Sequence, residues 1–219
     1  AISWLVYMPL RRQPPVSVFI STIAFGIIVA NSLNALFGAA PRAGPPLFGG
    51  GQIALFDSAA GPLIVSEQAL ATIGVAALLL GGTGVLLTRT QLGRRLRACA
   101  QDPEMARAVG IDLTAMTALA FALATALAGA AGLMLANQFF VTAHDGGGLM
   151  LKAYIAVVIG GWGSLRGAAA GALLIAVFEV FVAAILSQPV AEALLYIALF
   201  AVLALRPQGL FGEAAQRRA

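Results

Sequence analysis

Long apolar runs alternate with short polar breaks along this chain, and the runs have the lengths of membrane helices. Ser17 to Phe37 (SVFISTIAFGIIVANSLNALF) is long enough to span a bilayer, since about 20 residues at a rise of 1.5 Å cover the hydrocarbon core. Gln68 to Thr88 is a second such run. Thr114 to Ala136 is a third, dense in Ala and Gly and therefore suited to close helix packing. Ala168 to Leu186 and Val190 to Leu205 are two more, with Ser187-Gln188-Pro189 as a tight turn between them. Lys152 to Ile159 is apolar but short, and runs into Gly160-Gly161-Trp162-Gly163-Ser164-Leu165-Arg166-Gly167. Residues 1 to 10 read as the tail of a further membrane helix, ended by Arg11, Arg12 and the Pro14-Pro15 breaker. Gly38 to Ser66 and Asn137 to Leu151 read as loops rich in Gly. The pattern predicts an all-α, polytopic membrane helix bundle of about six segments plus a tail, forming one transmembrane domain over residues 1–219. Because Ala1 opens inside an apolar run, with neither Met nor a signal-peptide pattern, further N-terminal helices are expected.

Residues 89–113 (RTQLGRRLRACAQDPEMARAVGIDL) break this pattern and organise the rest. They gather Arg89, Arg94, Arg95, Arg97 and Arg107 with Asp102, Glu104 and Asp112 between two apolar runs. A short helix from Pro103 to Val109 has both ends signalled. Asp102 suits the N-cap, Pro103 the first helical position, and Glu104 the positive end of the dipole. Gly110 offers the C-terminal stop. About two turns of helix would project Met105, Ala108 and Val109 as a small apolar face. The segment reads either as a surface offered to a partner or as an ordinary basic loop.

Composition and charge narrow the class. Of 219 residues, 60% are hydrophobic and 10% charged, with a mean hydropathy of +0.94. Soluble domains carry about 25% charged residues, so a water-exposed surface cannot be covered here. The pI near 10.0 and net charge of +4 raise nucleic acid as a partner, but the placement of the basic residues points to topology instead. If the short run after Lys152 crosses the membrane, one side holds Arg11, Arg12, Arg89, Arg94, Arg95, Arg97, Arg107, Arg166, Arg206, Arg217 and Arg218. The other side holds Arg42 and Lys152, so the division is eleven against two. The positive-inside rule then puts 89–113 and the C-terminus in the cytoplasm. Cys99 has no second cysteine to pair with.

Candidate chemistry is sparse. The only lysine, Lys152, lies in no phosphate-binding GxxxxGK loop, so this chain does not hydrolyse ATP itself. One histidine, His144, gives no metal cluster, and the expected topology separates it from Ser164. Asn31 and Asn34 share a helix face and suit interhelical hydrogen bonding or the lining of a passage. Gly160, Gly161, Gly163 and Ser164 mark either close helix packing or unwound backbone along a solute path. Glu179, inside GALLIAVFEVFVAAIL, is costly in lipid. A structural hydrogen bond to a polar group on another helix is favoured over direct solute contact.

Four stretches resemble the permease subunits of branched-chain amino acid ABC transporters: GRRLRACAQDPEMARAVGID at 93–112, MLKAYIAVVIGGWGSLRGAAAGALL at 150–174, GALLIAVFEV at 171–180 and ALRPQGLFG at 204–212. The loop is also similar to the importer coupling motif Glu-Ala-Ala-x-x-x-Gly, standing here as Glu104-Met105-Ala106-Arg107-Ala108-Val109-Gly110. It departs at Met105 and lacks a downstream Leu-Pro pair. The resemblance implies a bacterial plasma (inner) membrane location and a second, homologous permease subunit as partner. It further implies two ATP-binding subunits that use the ATP, a periplasmic substrate-binding protein, and no cofactor on this chain. Asp102, Pro103, Glu104, Met105, Ala106 and Gly110 would then carry the contact with the ATPase. A permease for urea or short amides shares most of these motifs. An ion-coupled secondary transporter or channel would instead use Glu179 as its coupling carboxylate.

Overall fold

In a computed structural model, residues 15–45, 51–58, 61–161, 163–206 and 209 are described. The tail at 1–10, Arg11, Arg12, Trp162, Arg217 and Arg218 lie outside them. The described residues form α1 (Pro15–Phe37), β1 (Gln52–Ser58), β2 (Gly61–Ser66), α2 (Glu67–Arg89), α3 (Gln91–Gln101), α4 (Pro103–Ala108), α5 (Leu113–Ala136), α6 (Asp145–Gly160), α7 (Leu165–Ile185) and α8 (Gln188–Leu205). Among them, α1, α2, α5, α7 and α8 are long and apolar enough to cross a membrane. The fold is an all-α polytopic membrane bundle with one small hairpin. The chain divides into two compact units, Ala1–Ala143 and His144–Ala219.

Three expectations need correction. The loop expected at 38–66 contains the antiparallel hairpin β1–β2, pairing Gln52 with Ser66 and Ile53 with Val65. Its Gly and Pro residues masked the short apolar strands IALF and PLIV, which lack any helical period. The charged segment holds two helices rather than one, because Thr90 starts α3 as soon as α2 ends. The short run at Lys152 is the second half of α6, whose first turns recruit Asp145-Gly146-Gly147-Gly148 from the expected loop. At 16 residues and 1.5 Å per residue, α6 is about 24 Å long, somewhat short of a full hydrocarbon thickness.

In the first unit the ends of the long helices are tied by backbone. Arg42 and Val141 exchange N–H···O bonds of 3.0 and 2.9 Å, and Gly44 N donates to Ala136 O at 2.7 Å. The segments following α1 and α5 therefore meet at one end of the unit. The start of α2 joins them: Gln138 Nε2 donates to Thr72 Oγ1 at 2.8 Å. That arrangement is what three alternating spans produce, with α1 and α5 running one way and α2 the other.

In the second unit, small residues rather than large ones bring the helices together. A β-carbon on Gly160 would collide with the backbone carbonyl of Gly167, and one on Gly171 with that of Ala156. Ala156 and Gly160 on α6 thus face Gly167 and Gly171 on α7, each pair four residues apart. Lipid offers apolar side chains no worse a home than protein does, so membrane helices associate chiefly through such close backbone contact. Around this seam Ile155, Ala156, Ile159, Ile175 and Leu195 form a buried cluster, with Leu199 and Val202 packed on it. Gly209, at φ +77°, has no room for a side chain against Gly161 and the Val158 carbonyl, so this glycine seats on the end of α6.

Candidate functional site

The element that stands out in the first unit is the elbow from Thr90 to Asp112, built from three capped helix starts. Thr90 Oγ1 accepts from Gly93 N at 3.1 Å while donating to Leu86 O at 2.6 Å. Asp102 Oδ1 accepts from Glu104 N at 3.1 Å and Met105 N at 3.0 Å. Asp112 Oδ1 accepts from Thr114 N at 2.8 Å and Ala115 N at 3.3 Å. Each cap satisfies amides that a helix start leaves without partners, at about 1 kcal/mol apiece.

α4 is closed equally firmly at its other end. Gly110 adopts φ +82°, its N–H bonds to Arg107 O at 3.0 Å, and Ile111 N reaches back to Ala106 O at 3.0 Å. These nested bonds are the left-handed glycine cap, and a residue with a β-carbon would be strained there. Pro103 occupies the first turn and Glu104 faces the positive end of the dipole. A six-residue helix would be marginal alone; held at both ends, it becomes a rigid knob between α3 and α5.

Its faces divide cleanly. Ala106 is buried at 3% exposure and seats α4 on its own chain, so it does not stand among the outward residues as expected. Met105 and Val109 are 63% and 69% exposed, with Ala108 and Glu104 also at the surface. The outward apolar face is therefore Met105, Ala108 and Val109, the three that the helical spacing projects, and Ala106 alone departs from the expected contact residues.

The residues expected along a path fall differently. Asn31 Nδ2 donates to Ile27 O at 2.9 Å within its own helix, and Asn34 O receives Gly38 N at the helix end. Gly160 serves close packing. Gly161, at φ +104°, ends α6, while Gly163, at φ +82°, stands exposed. Ser164 Oγ caps α7 by accepting from Gly167 N at 3.0 Å. His144 and Ser164 lie beyond opposite ends of α6.

Glu179 has a partner that its sequence surroundings concealed. Lys152 Nζ lies 2.6 Å from Glu179 Oε1 and 3.4 Å from Glu192 Oε1, and Gln188 Nε2 donates to Glu179 Oε1 at 2.5 Å. The pairing ties α6, α7 and α8 together. Lys152 thus lies in the middle of a helix and in an ion pair, rather than at the start of a short apolar run as expected. Lys152 and Glu179 are 27 residues apart, with no local signal to join them; the only clue was that a cation and an anion each sat alone in apolar runs.

Apolar spans, a capped charged elbow between two of them, and an internal ion pair across three helices fit a transport permease, and similarity to known proteins shows that class. The chain belongs to the family described as branched-chain amino acid transport system, permease component, which it matches over residues 1–203. It is 32% identical over 215 residues to the high-affinity branched-chain amino acid transport system permease protein BraD of Pseudomonas aeruginosa, covering 97% of this chain and 69% of that one. LivH of Escherichia coli, of the same description, is 31% identical over the same shares. The autoinducer 2 import system permease protein LsrC of Klebsiella pneumoniae is 41% identical over 108 residues, 46% of this chain and 31% of that one. No solved structure matches the chain. As a member of this family the chain is the membrane permease component of an ABC importer, whose ATP hydrolysis and substrate capture belong to partner subunits.

Proposed function

We propose that this permease imports branched-chain, hydrophobic amino acids, and that α4 is where ATPase closure is transmitted to the membrane helices. The observation that carries the coupling reading is the double closure of α4 by Asp102 and Gly110, which leaves Met105, Ala108 and Val109 outward. A lever must not bend where it is pushed. A short helix with both ends capped, joined to α2 through α3 and directly to α5, meets that requirement. Asp102, Pro103 and Gly110 fix its ends; Glu104, Met105, Ala108 and Val109 present the contact, and Ala106 anchors it.

The two units act together as one permease domain, paired with a second homologous permease subunit, two ATP-binding subunits and a periplasmic substrate-binding protein. The arginine distribution supports a cytoplasmic elbow and C-terminus. With Lys152 paired inside α6, Arg42 is the one basic residue left on the opposite side. The amino acid assignment rests on the similarity to BraD and LivH. Glu179 is committed to Lys152 and Gln188, which favours a structural role for it over proton coupling.

Gly110→Val tests the coupling reading in the whole complex. A β-carbon at Gly110 would meet no neighbouring atom, so its cost is the left-handed backbone alone, roughly 1–2 kcal/mol for a residue other than glycine. Membrane insertion and assembly should survive, and ATP hydrolysis should continue while uptake of labelled leucine falls about tenfold or more. Normal uptake in this variant would overturn the coupling role of α4.

A further inference from the structure

We propose that α3 is an anionic-phospholipid anchor, lying in the headgroup layer at the end of α2 and gripping lipid phosphates with Arg94, Arg95 and Arg97, together with Arg89 in the last turn of α2. Three independent observations meet on this helix. The first is depth. One residue, Thr90, separates α3 from α2, and Gly93 presses so closely on the backbone of Leu86 and Leu87 that any β-carbon would collide with it. The start of α3 is thereby pinned to the last turn of a span, at the level where hydrocarbon gives way to headgroups.

The second is amphipathicity. Leu92, Leu96 and Cys99 recur at helical spacing along one edge, with Leu92 still 38% exposed. Arg94 and Arg97 stand exposed on the opposite side, and exposed Arg95, three residues from Leu92 and four from Cys99, flanks the edge itself. An apolar edge and a cationic face on one short helix at a span's end are the marks of an interfacial segment. The third is charge without a counter-charge. The ion pairs among the described residues are those of Lys152, and none reaches these four arginines. Four exposed guanidinium groups within nine positions of the chain are therefore available to an external anion. Phosphate diesters suit them because the planar fork can hold two oxygens at once. Basic clusters placed directly after a span bind anionic lipid in this manner.

The face that α4 presents is of another kind, made of Met105, Ala108 and Val109 beside Glu104, with its one basic residue, exposed Arg107, on the other side of the helix. The elbow thus divides its work: α4 offers an apolar knob suited to a protein groove, and α3 offers a cationic face suited to a membrane surface. The alternative occupant of α3 is an acidic patch on an ATP-binding subunit. The inference needs only that α2 crosses the membrane, and so stands apart from the solute and coupling proposals.

The test uses the complete complex purified through this chain, reconstituted in nanodiscs of phosphatidylcholine with phosphatidylglycerol at equal mole fraction. The enrichment of phosphatidylglycerol among lipids retained after mild delipidation is then measured by mass spectrometry. For wild type, phosphatidylglycerol should be enriched over phosphatidylcholine, with the enrichment falling as salt is raised. In R94Q/R95Q/R97Q the enrichment should fall by about fivefold for each charge that acts at the surface. R94K/R95K/R97K, which keeps the charges but not the planar fork, should retain more of it than the glutamine variant, which separates loss of charge from loss of folding. Unchanged enrichment in the glutamine variant overturns the proposal. So does loss of the ATP-binding subunits from that variant with its retained lipids unaltered, which would assign the arginines to the protein partner.

Discussion

Lys152 illustrates how a single residue is governed by its partners rather than its neighbours. In sequence it begins an apolar run; in the fold its ammonium lies against Glu179 and Glu192. Removing one partner of such a pair strands the other in a poor solvent, at a cost of about 3–5 kcal/mol for a fully buried pair. With its side chain 31% exposed, Lys152→Met should fall toward the lower end of that range. Its thermal unfolding in detergent should shift down, and K152M/E179Q should recover part of the loss because the orphaned charge is gone. Equal instability of the single and double variants would show that the pair does not bind the helices. Gly171 makes the complementary case. Its β-carbon would meet the Ala156 backbone, so Gly171→Val should lower the unfolding temperature through overpacking of about 1–3 kcal/mol, whereas Gly129→Val, with nothing nearby, should behave as wild type. Unfolding temperatures from fluorescence-detected size exclusion compare the two directly.

Among the elements, legibility followed the range of the forces involved. Long spans were readable because lipid demands an unbroken apolar run, and α1, α2, α5, α7 and α8 all lie within a few residues of their expected bounds. The caps of α4 were readable because Asp102, Pro103 and Gly110 act within four residues of the backbone they satisfy. α3 was missed because its arginines resemble a solvated loop; Thr90 before an amphipathic run of 11 residues was the available signal. β1 and β2 were missed because pairing depends on a partner strand, not on local period. The start of α6 was missed because three consecutive glycines argue against helix, and only the packing of its second half onto α7 overrides them. At this scale Asp102→Ala should leave spans and assembly intact while loosening α4. The loss of about 1 kcal/mol of capping should appear as faster amide exchange at Glu104 and Met105, with no change in α5. Unaltered exchange there would mean that the cap does not hold the helix.

For the molecule as a whole, a membrane bundle follows from one physical fact: a chain with 10% charged residues cannot clothe itself for water. What such a chain needs from partners is set by where its few charges lie. They concentrate in the elbow, which no span requires, and the proposed importer is built around that concentration. The site was legible in its caps and in the outward face of Met105, Ala108 and Val109, but not in the burial of Ala106, which depends on how α4 rests on α3 and α5. The most direct measurement captures the intact complex through this chain from mild detergent, identifies its subunits by mass, and follows leucine entry into reconstituted vesicles with and without ATP. The account predicts co-purifying ATP-binding subunits and uptake that stops without ATP. A chain that emerges alone yet still accumulates or conducts leucine without ATP would contradict it.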